Sequence, residues 1–304
     1  MRSNTAYTRY TWFILVMVFL VILAGAVVRM TQSGMGCPDW PRCFGRWIPP
    51  VNENQLPPDF EKYLRAQDID HSFNAYHTWI EYINRLLGAL LGLFIVIHFA
   101  WSFKKFRKTN PSIVLVSLLL LLAVGFQGWL GKKVVDANLA VVKVTIHMLM
   151  ALVIAALPVW IIARLEAVKT PAGKLVKSLS VIALLLVLVQ IVLGTDVREQ
   201  IDEIARPLQY RQRELWIGQL DTLFLVHRSF SWAVAAACIF LYWKSRSLLQ
   251  LRPHNRLILF LISVSIITGL TMYYWQIPAL AQPVHLFSGS LLAISLFSFR
   301  LQLK

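Results

Sequence analysis

Eight apolar blocks, each long enough to cross a hydrocarbon layer of roughly 30 Å, run near 11–30, 77–102, 112–131, 140–163, 178–197, 221–243, 257–275 and 283–302. Backbone groups inside lipid must be satisfied within their own segment, so each block reads as a helix. The fold class is therefore an all-α polytopic membrane protein with eight transmembrane helices. Composition agrees: the 304 residues are 57% hydrophobic, with a mean hydropathy of +0.60, unlike an ordinary soluble chain. The first block follows Arg2 and Arg9 and ends near "LAGA", as a signal peptide does. Its length, and the seven blocks behind it, favour an uncleaved span.

A formal charge of +15 invites a nucleic-acid reading, but its placement excludes that partner. With the N-terminus in the cytoplasm, the segments on that side carry 16 of the 30 Lys and Arg and one acid, Glu166. Almost every other acid falls on the opposite side. This is the positive-inside pattern, and it puts both termini in the cytoplasm. Anionic headgroups of the lipid bilayer account for the basic loops. Cys37 and Cys43 then fall in the long outer loop 31–76, on the oxidising side, where they could form a disulfide. Cys238, inside a span, reads as a small packing residue.

The chain also repeats weakly. "GAVVRMTQSG" at 25–34 matches "GTDVREQID" at 194–202, "INRLLGAL" at 83–90 matches "VHRSFSWA" at 226–233, and "TIHMLMAL" at 145–152 matches "PVHLFSGS" at 283–290. The fold is thus expected as two pseudo-repeated four-helix bundles, residues 1–165 and 166–304, in a parallel repeat. Loop 31–76, rich in Pro, Gly and Trp, is expected to be compact. Residues 197–220 form the second long outer loop.

Asn84, His147, His227 and His285 all fall near the outer ends of the even-numbered spans. Polar residues at one depth in four parallel helices point to a shared site. Two imidazoles from facing helices of a bundle can hold a heme iron. His227 and His285 form that pair in the second half, and Arg228 is placed to meet a propionate. In the first half His147 is the one strong ligand at this level, because an amide such as Asn84 ligates heme iron poorly. His77, two turns nearer the surface on the Asn84 face, is a second candidate, and His71 a more remote one. Glu81 shares that face; it is either salt-bridged to Arg85 at i+4 or placed beside a reacting cofactor. His98 reads as an interhelical contact, and His254 as a solvated loop residue.

These residues resemble the heme A synthase family over nearly the whole chain. The resemblance rests on "GCPDWPRCFG", "EYINRLLG", "QGWLG", "IHMLMAL", "LVHRSFSW" and "VHLFSG", in that order across eight spans. It implies a heme b cofactor on His227 and His285, with Arg228 nearby, in the C-terminal half. It implies a substrate heme O in the N-terminal half, near His147, Asn84, Arg85 and His77. The implied reaction oxidises a ring methyl to a formyl group by successive hydroxylations with water. Glu81 would stabilise the cationic intermediate, and Cys37–Cys43 would form a disulfide, structural or redox-active. The implied setting is a bacterial inner membrane, with heme O supplied by a heme O synthase, an unidentified electron acceptor, and a homo-oligomer left open. Two departures stand out. Where the family has glutamate, two residues, histidine and arginine, this chain reads "EYINR". The second outer cysteine pair that some members carry is missing.

Two other readings compete. A b-type electron carrier with one or two hemes would use the same histidines without altering its porphyrin, and would not need Glu81. A transporter with a midplane site would bind no heme.

Overall fold

The computed structural model describes residues 5–60, 73–136, 141–166 and 169–304; His71 lies outside them. Eight long helices account for nearly all of it: α1 (Thr5–Met30), α2 (Ala75–Phe106), α3 (Pro111–Val135), α4 (Val141–Glu166), α5 (Lys174–Ala205), α6 (Thr222–Ser245), α7 (Arg252–Tyr274) and α8 (Ala281–Leu301). All eight are long and apolar enough to span a membrane. Their starts follow local chemistry. The Asn74 side chain accepts from the amides of Tyr76 and His77, and that of Asp221 accepts from Leu223, which satisfies donors that a helix N-terminus leaves unpaired. Pro111 opens α3, where its missing N–H costs nothing.

Residues pack into two compact units, Arg9–Ile154 and Ala155–Lys304, the second also taking in the start of α1 up to Thr8. The division falls inside α4, one turn before the intrahelical Pro158.

In the second unit the largest apolar core gathers Val187, Val234, Cys238, Leu241, Ile258 and Leu296, flanked by Ile191, Phe230 and Ile266. A smaller cluster of Val197, Ile201, Ala205, Trp216 and Ile277 is flanked by Phe224 and Met272. On α5, α6 and α7, Gly194, His227 and Gly269 each sit one helical turn from either cluster. These residues are only half-buried, as are Gln190, Thr268 and His285. The first unit repeats the pattern. Its helices have buried side chains at Phe19 and Ala26, Glu81 and Leu91, and Ala123 and Leu130. Asn84 and Gln127 lie between them, half-buried.

Two expectations need correction. Helix α5 continues through residues expected to be loop, ending at Ala205. The cause is an apolar stripe: Val197, Ile201 and Ala205, four apart on one face, pack against Trp216, and Arg198 pairs with Asp202 at 2.8 Å. His254 is not a solvated loop residue; it lies in the first turn of α7, half-buried, with Nε2 3.0 Å from Gln302 Nε2 and 3.3 Å from Ser298 Oγ. His98 is the interhelical contact expected, with both ring nitrogens engaged by Thr11 (3.1 Å) and Ser117 (2.8 Å).

Loop 31–60 docks on the first turns of α2. Gly36 lets it approach closely: a β-carbon there would lie 2.4 Å from the His77 carbonyl carbon and 2.6 Å from the Thr78 nitrogen. Thr78 Oγ1 donates to Gly36 O at 2.8 Å. Backbone cannot yield as a flexible side chain can, so Gly36→Ala is expected to lift the loop, costing about 1–3 kcal/mol. Limited proteolysis of loop 31–60 in detergent should quicken clearly in that variant.

Candidate functional site

In the first unit the site is built around a buried ion pair. Glu81 Oε1 accepts from Arg85 Nε at 3.1 Å and from a terminal guanidinium nitrogen at 2.5 Å. Glu81 Oε2 accepts from the Cys37 amide at 2.8 Å. The same guanidinium donates to the carbonyls of Cys37 (2.8 Å), Asp39 (2.6 Å) and Arg42 (3.2 Å). Cys37 and Cys43 form the expected disulfide. Arg85 therefore fastens the disulfide loop to α2, and the loop in return orients Glu81. The Asp39 carboxylate closes the loop by accepting from the amides of Phe44 and Gly45. Of the two readings of Glu81, the salt bridge is present; the carboxylate is also held one turn from Asn84.

Asn84 Oδ1 is buried with no hydrogen-bond partner among the described residues. The same holds for His147 Nδ1. Gln127 Nε2 donates to the carbonyl of His147 at 3.0 Å, while its own Oε1 is buried and unpartnered among the described residues. Gly131 faces the imidazole: a β-carbon there would come within 3.4 Å of His147 Cε1. His77 stands apart from this level, in the first turn of α2 with its backbone against Gly36.

In the second unit the rings of His227 and His285 are 6.5 Å apart between centroids, inclined at 69°. Two imidazoles sharing one metal through bonds of about 2 Å place their ring centres about 6 Å apart. Among the described residues no third His, Cys, Asp or Glu gathers to complete a cage for a bare ion. A tetrapyrrole brings four nitrogens of its own, so two axial imidazoles suffice. Glycines make room for both rings: β-carbons at Gly194 and Gly269 would lie 3.0 Å from His227 Cε1 and 3.5 Å from His285 Cε1. Gln190 Nε2 donates to the carbonyl of His227 at 3.0 Å, and His227 Nδ1 is buried without a partner among the described residues.

The tautomer of His285 follows from its neighbour. Thr268 Oγ1 gives its proton to the Val264 carbonyl at 2.7 Å, so toward His285 Nδ1, 3.0 Å away, it accepts. The ring proton is then on Nδ1, and Nε2 keeps its lone pair for a metal. Arg228 is exposed, with its guanidinium 4.5 Å from the centre of the Tyr273 ring. Unlike Arg85, it is not locked into a loop and can turn to an anionic group.

Sequence reasoning missed Gln127, Gln190 and Thr268. A signal was present: "QGWLG" and "QIVLG" each place Gln and Gly four apart, on one helical face. In both cases the pair meets a histidine.

The model of the cytochrome oxidase assembly protein family, COX15-CtaA, matches residues 8–297. Similar chains include heme A synthases from Flavobacterium johnsoniae, 23% identical over 89% of both chains, and Sphingopyxis alaskensis, 28% identical over 78% of this chain and 75% of that one. A heme A synthase from Shewanella oneidensis is 32% identical over 46% of this chain and 40% of its own length.

Two outcomes are expected of the site. Arg85→Met leaves a buried carboxylate uncompensated and should cost about 3–5 kcal/mol, whereas the Glu81→Gln, Arg85→Met double variant should lose less; thermal unfolding in detergent distinguishes them. Thr268→Val keeps the shape but removes one acceptor for His285 Nδ1–H, leaving the Ser265 carbonyl. Heme retention by the second unit should fall about 10–100-fold, read by titration into a heme-scavenging apoprotein.

Proposed function

The chain belongs to the cytochrome oxidase assembly protein family, and from that premise we propose that it acts as the enzyme its relatives are named for, a heme A synthase. It is a multi-pass protein of a bacterial membrane and an oxidoreductase acting on heme. In this reading both termini are cytoplasmic, and the disulfide loop lies outside, at the plasma membrane's outer face. Residues 1–165 take heme O as substrate and residues 166–304 keep a heme b. The single observation that carries the division is the second unit's pair of imidazoles at tetrapyrrole spacing, His227 and His285, against His147 paired with Asn84 at the corresponding positions of the first.

The substrate's ring methyl is converted to a formyl group in two oxidations. Methyl and water give hydroxymethyl, releasing two electrons and two protons. Hydroxymethyl with a second water gives the hydrated aldehyde, releasing two more of each, and loss of water leaves the formyl. The four electrons pass to an acceptor outside the chain, and heme b, when bound, supplies a one-electron relay.

The protein's own part is positioning and charge. Glu81 keeps a fixed carboxylate beside the substrate level, oriented by Arg85 and the Cys37 amide. A preorganised anion there lowers the energy of positive charge developing on the ring carbon. Arg85 keeps Glu81 in place, and the disulfide loop covers the α2 end of the site. Arg228 meets a heme b propionate. Heme O comes from a heme O synthase, and a homo-oligomer would set two such units side by side in the bilayer.

The test is mass analysis of heme extracted from protein made in cells that produce heme O. Wild type should yield heme A or its hydroxymethyl precursor, and Glu81→Ala heme O and heme b only. Heme b alone from both would contradict the reading and favour an electron carrier.

A further inference from the structure

The two units carry the same layer with one difference in chemistry. His147 and His285 stand 138 residues apart, and so do the glycines that face them, Gly131 and Gly269. Their approach is alike, 3.4 and 3.5 Å to Cε1. The partner position is not conserved between units: "NR" at 84–85 stands where "HR" stands at 227–228.

We infer that the heme taken by the first unit is ligated by protein on one side only, through His147, and that Asn84 faces an iron position open to a small exogenous ligand such as carbon monoxide. The inference rests on the substrate-heme reading above. A neutral carboxamide is a poor ligand for heme iron beside an imidazole. It is a good hydrogen-bonding group for a small molecule bound there, having one acceptor and two donor hydrogens. Asn84 Oδ1 is buried with no partner among the described residues, and leaving such a group unmet is unfavourable. A ligand with a hydrogen to donate, such as water, on the open side would meet it, and the amide hydrogens could donate to carbon monoxide.

Among the described residues, neither the other histidines of this unit nor Gln127 or Arg85 is placed to take the sixth position. His77 is seven residues from Asn84, about 10 Å along the helix axis, with its backbone held by the Asn74 cap and Gly36. Bringing it level would unwind the start of α2. His98 has both nitrogens engaged, fourteen residues beyond Asn84. Gln127 is tied to the carbonyl of His147 itself, and Arg85 is held by Glu81 and the loop carbonyls. Single ligation also suits a heme that must leave as product: one iron–imidazole bond holds it, where two hold the resident heme of the second unit.

The test uses purified protein from heme O-producing cells, with heme-to-chain ratio, ferric electron paramagnetic resonance and the reduced spectrum with carbon monoxide. With two hemes per chain, one is expected to be low-spin and inert to carbon monoxide. The other is expected to be high-spin and to shift its Soret band with the gas. Asn84→His should abolish the high-spin signal and the shift at an unchanged ratio. Because that variant can fail to fold, the wild-type spectra decide by themselves. Two hemes per chain, both low-spin and both inert, overturn the inference while leaving the substrate reading intact. One low-spin heme per chain removes the substrate reading and the inference with it.

Discussion

A hydrogen-bonding group buried in hydrocarbon costs several kcal/mol unless it finds a partner, and that cost sorts the polar side chains of these helices. His98 has Thr11 and Ser117. Asn255 has Ser245. Glu81 has Arg85 and the Cys37 amide. Asn84, Gln127, His147, Gln190 and His227 each keep a buried atom with no partner among the described residues. Gln127 and Gln190 fall between buried apolar residues of their helices, Ala123 and Leu130, and Val187 and Val197, while Asn84, His147 and His227 precede the buried apolar stretches of theirs. These five gather around His147 in the first unit and His227 in the second, apart from His254 Nδ1, which is likewise without a partner among the described residues at the start of α7, and the glycines at 131, 194 and 269 face His147, His227 and His285.

Much of this was legible in the residues themselves. Eight spans follow from block length. The histidines stood out because imidazole is rare and costly in a span. The extension of α5 was hidden because "DVREQIDEIA" is charged by composition; only its i, i+4 stripe against Trp216 shows why it stays helical. The double role of Arg85 was hidden too. Spacing gives the i+4 pair with Glu81, but the carbonyls of Cys37, Asp39 and Arg42 lie more than forty positions away and arrive only through the close approach that Gly36 permits. Thr268 escaped notice because a threonine in a span commonly bonds its own helix, and this one does so while also orienting His285.

Each unit, taken by itself, has a group of polar side chains around a histidine, and the two groups differ in chemistry. The second offers two imidazoles, one with its tautomer set by Thr268, and an exposed arginine. The first offers, near Asn84 and among the described residues, the imidazole of His147, an amide, and a carboxylate locked to a disulfide loop. A resident cofactor calls for the former. A substrate that enters, reacts at its periphery and leaves calls for the latter. The ion pair fits this division: Arg85 is engaged in holding the loop and Glu81, and Glu81 is held one turn from Asn84.

The central claim is that each unit houses a heme at its layer and that only the second holds it from both sides. An experimental structure of the protein purified from heme O-producing cells tests this directly. The account predicts density for one tetrapyrrole bridging His227 and His285, and for another with its iron bonded to His147, close to Glu81 and without a bond to Asn84. Density between His227 and His285 alone, with the first layer closed by repacked side chains, would contradict it.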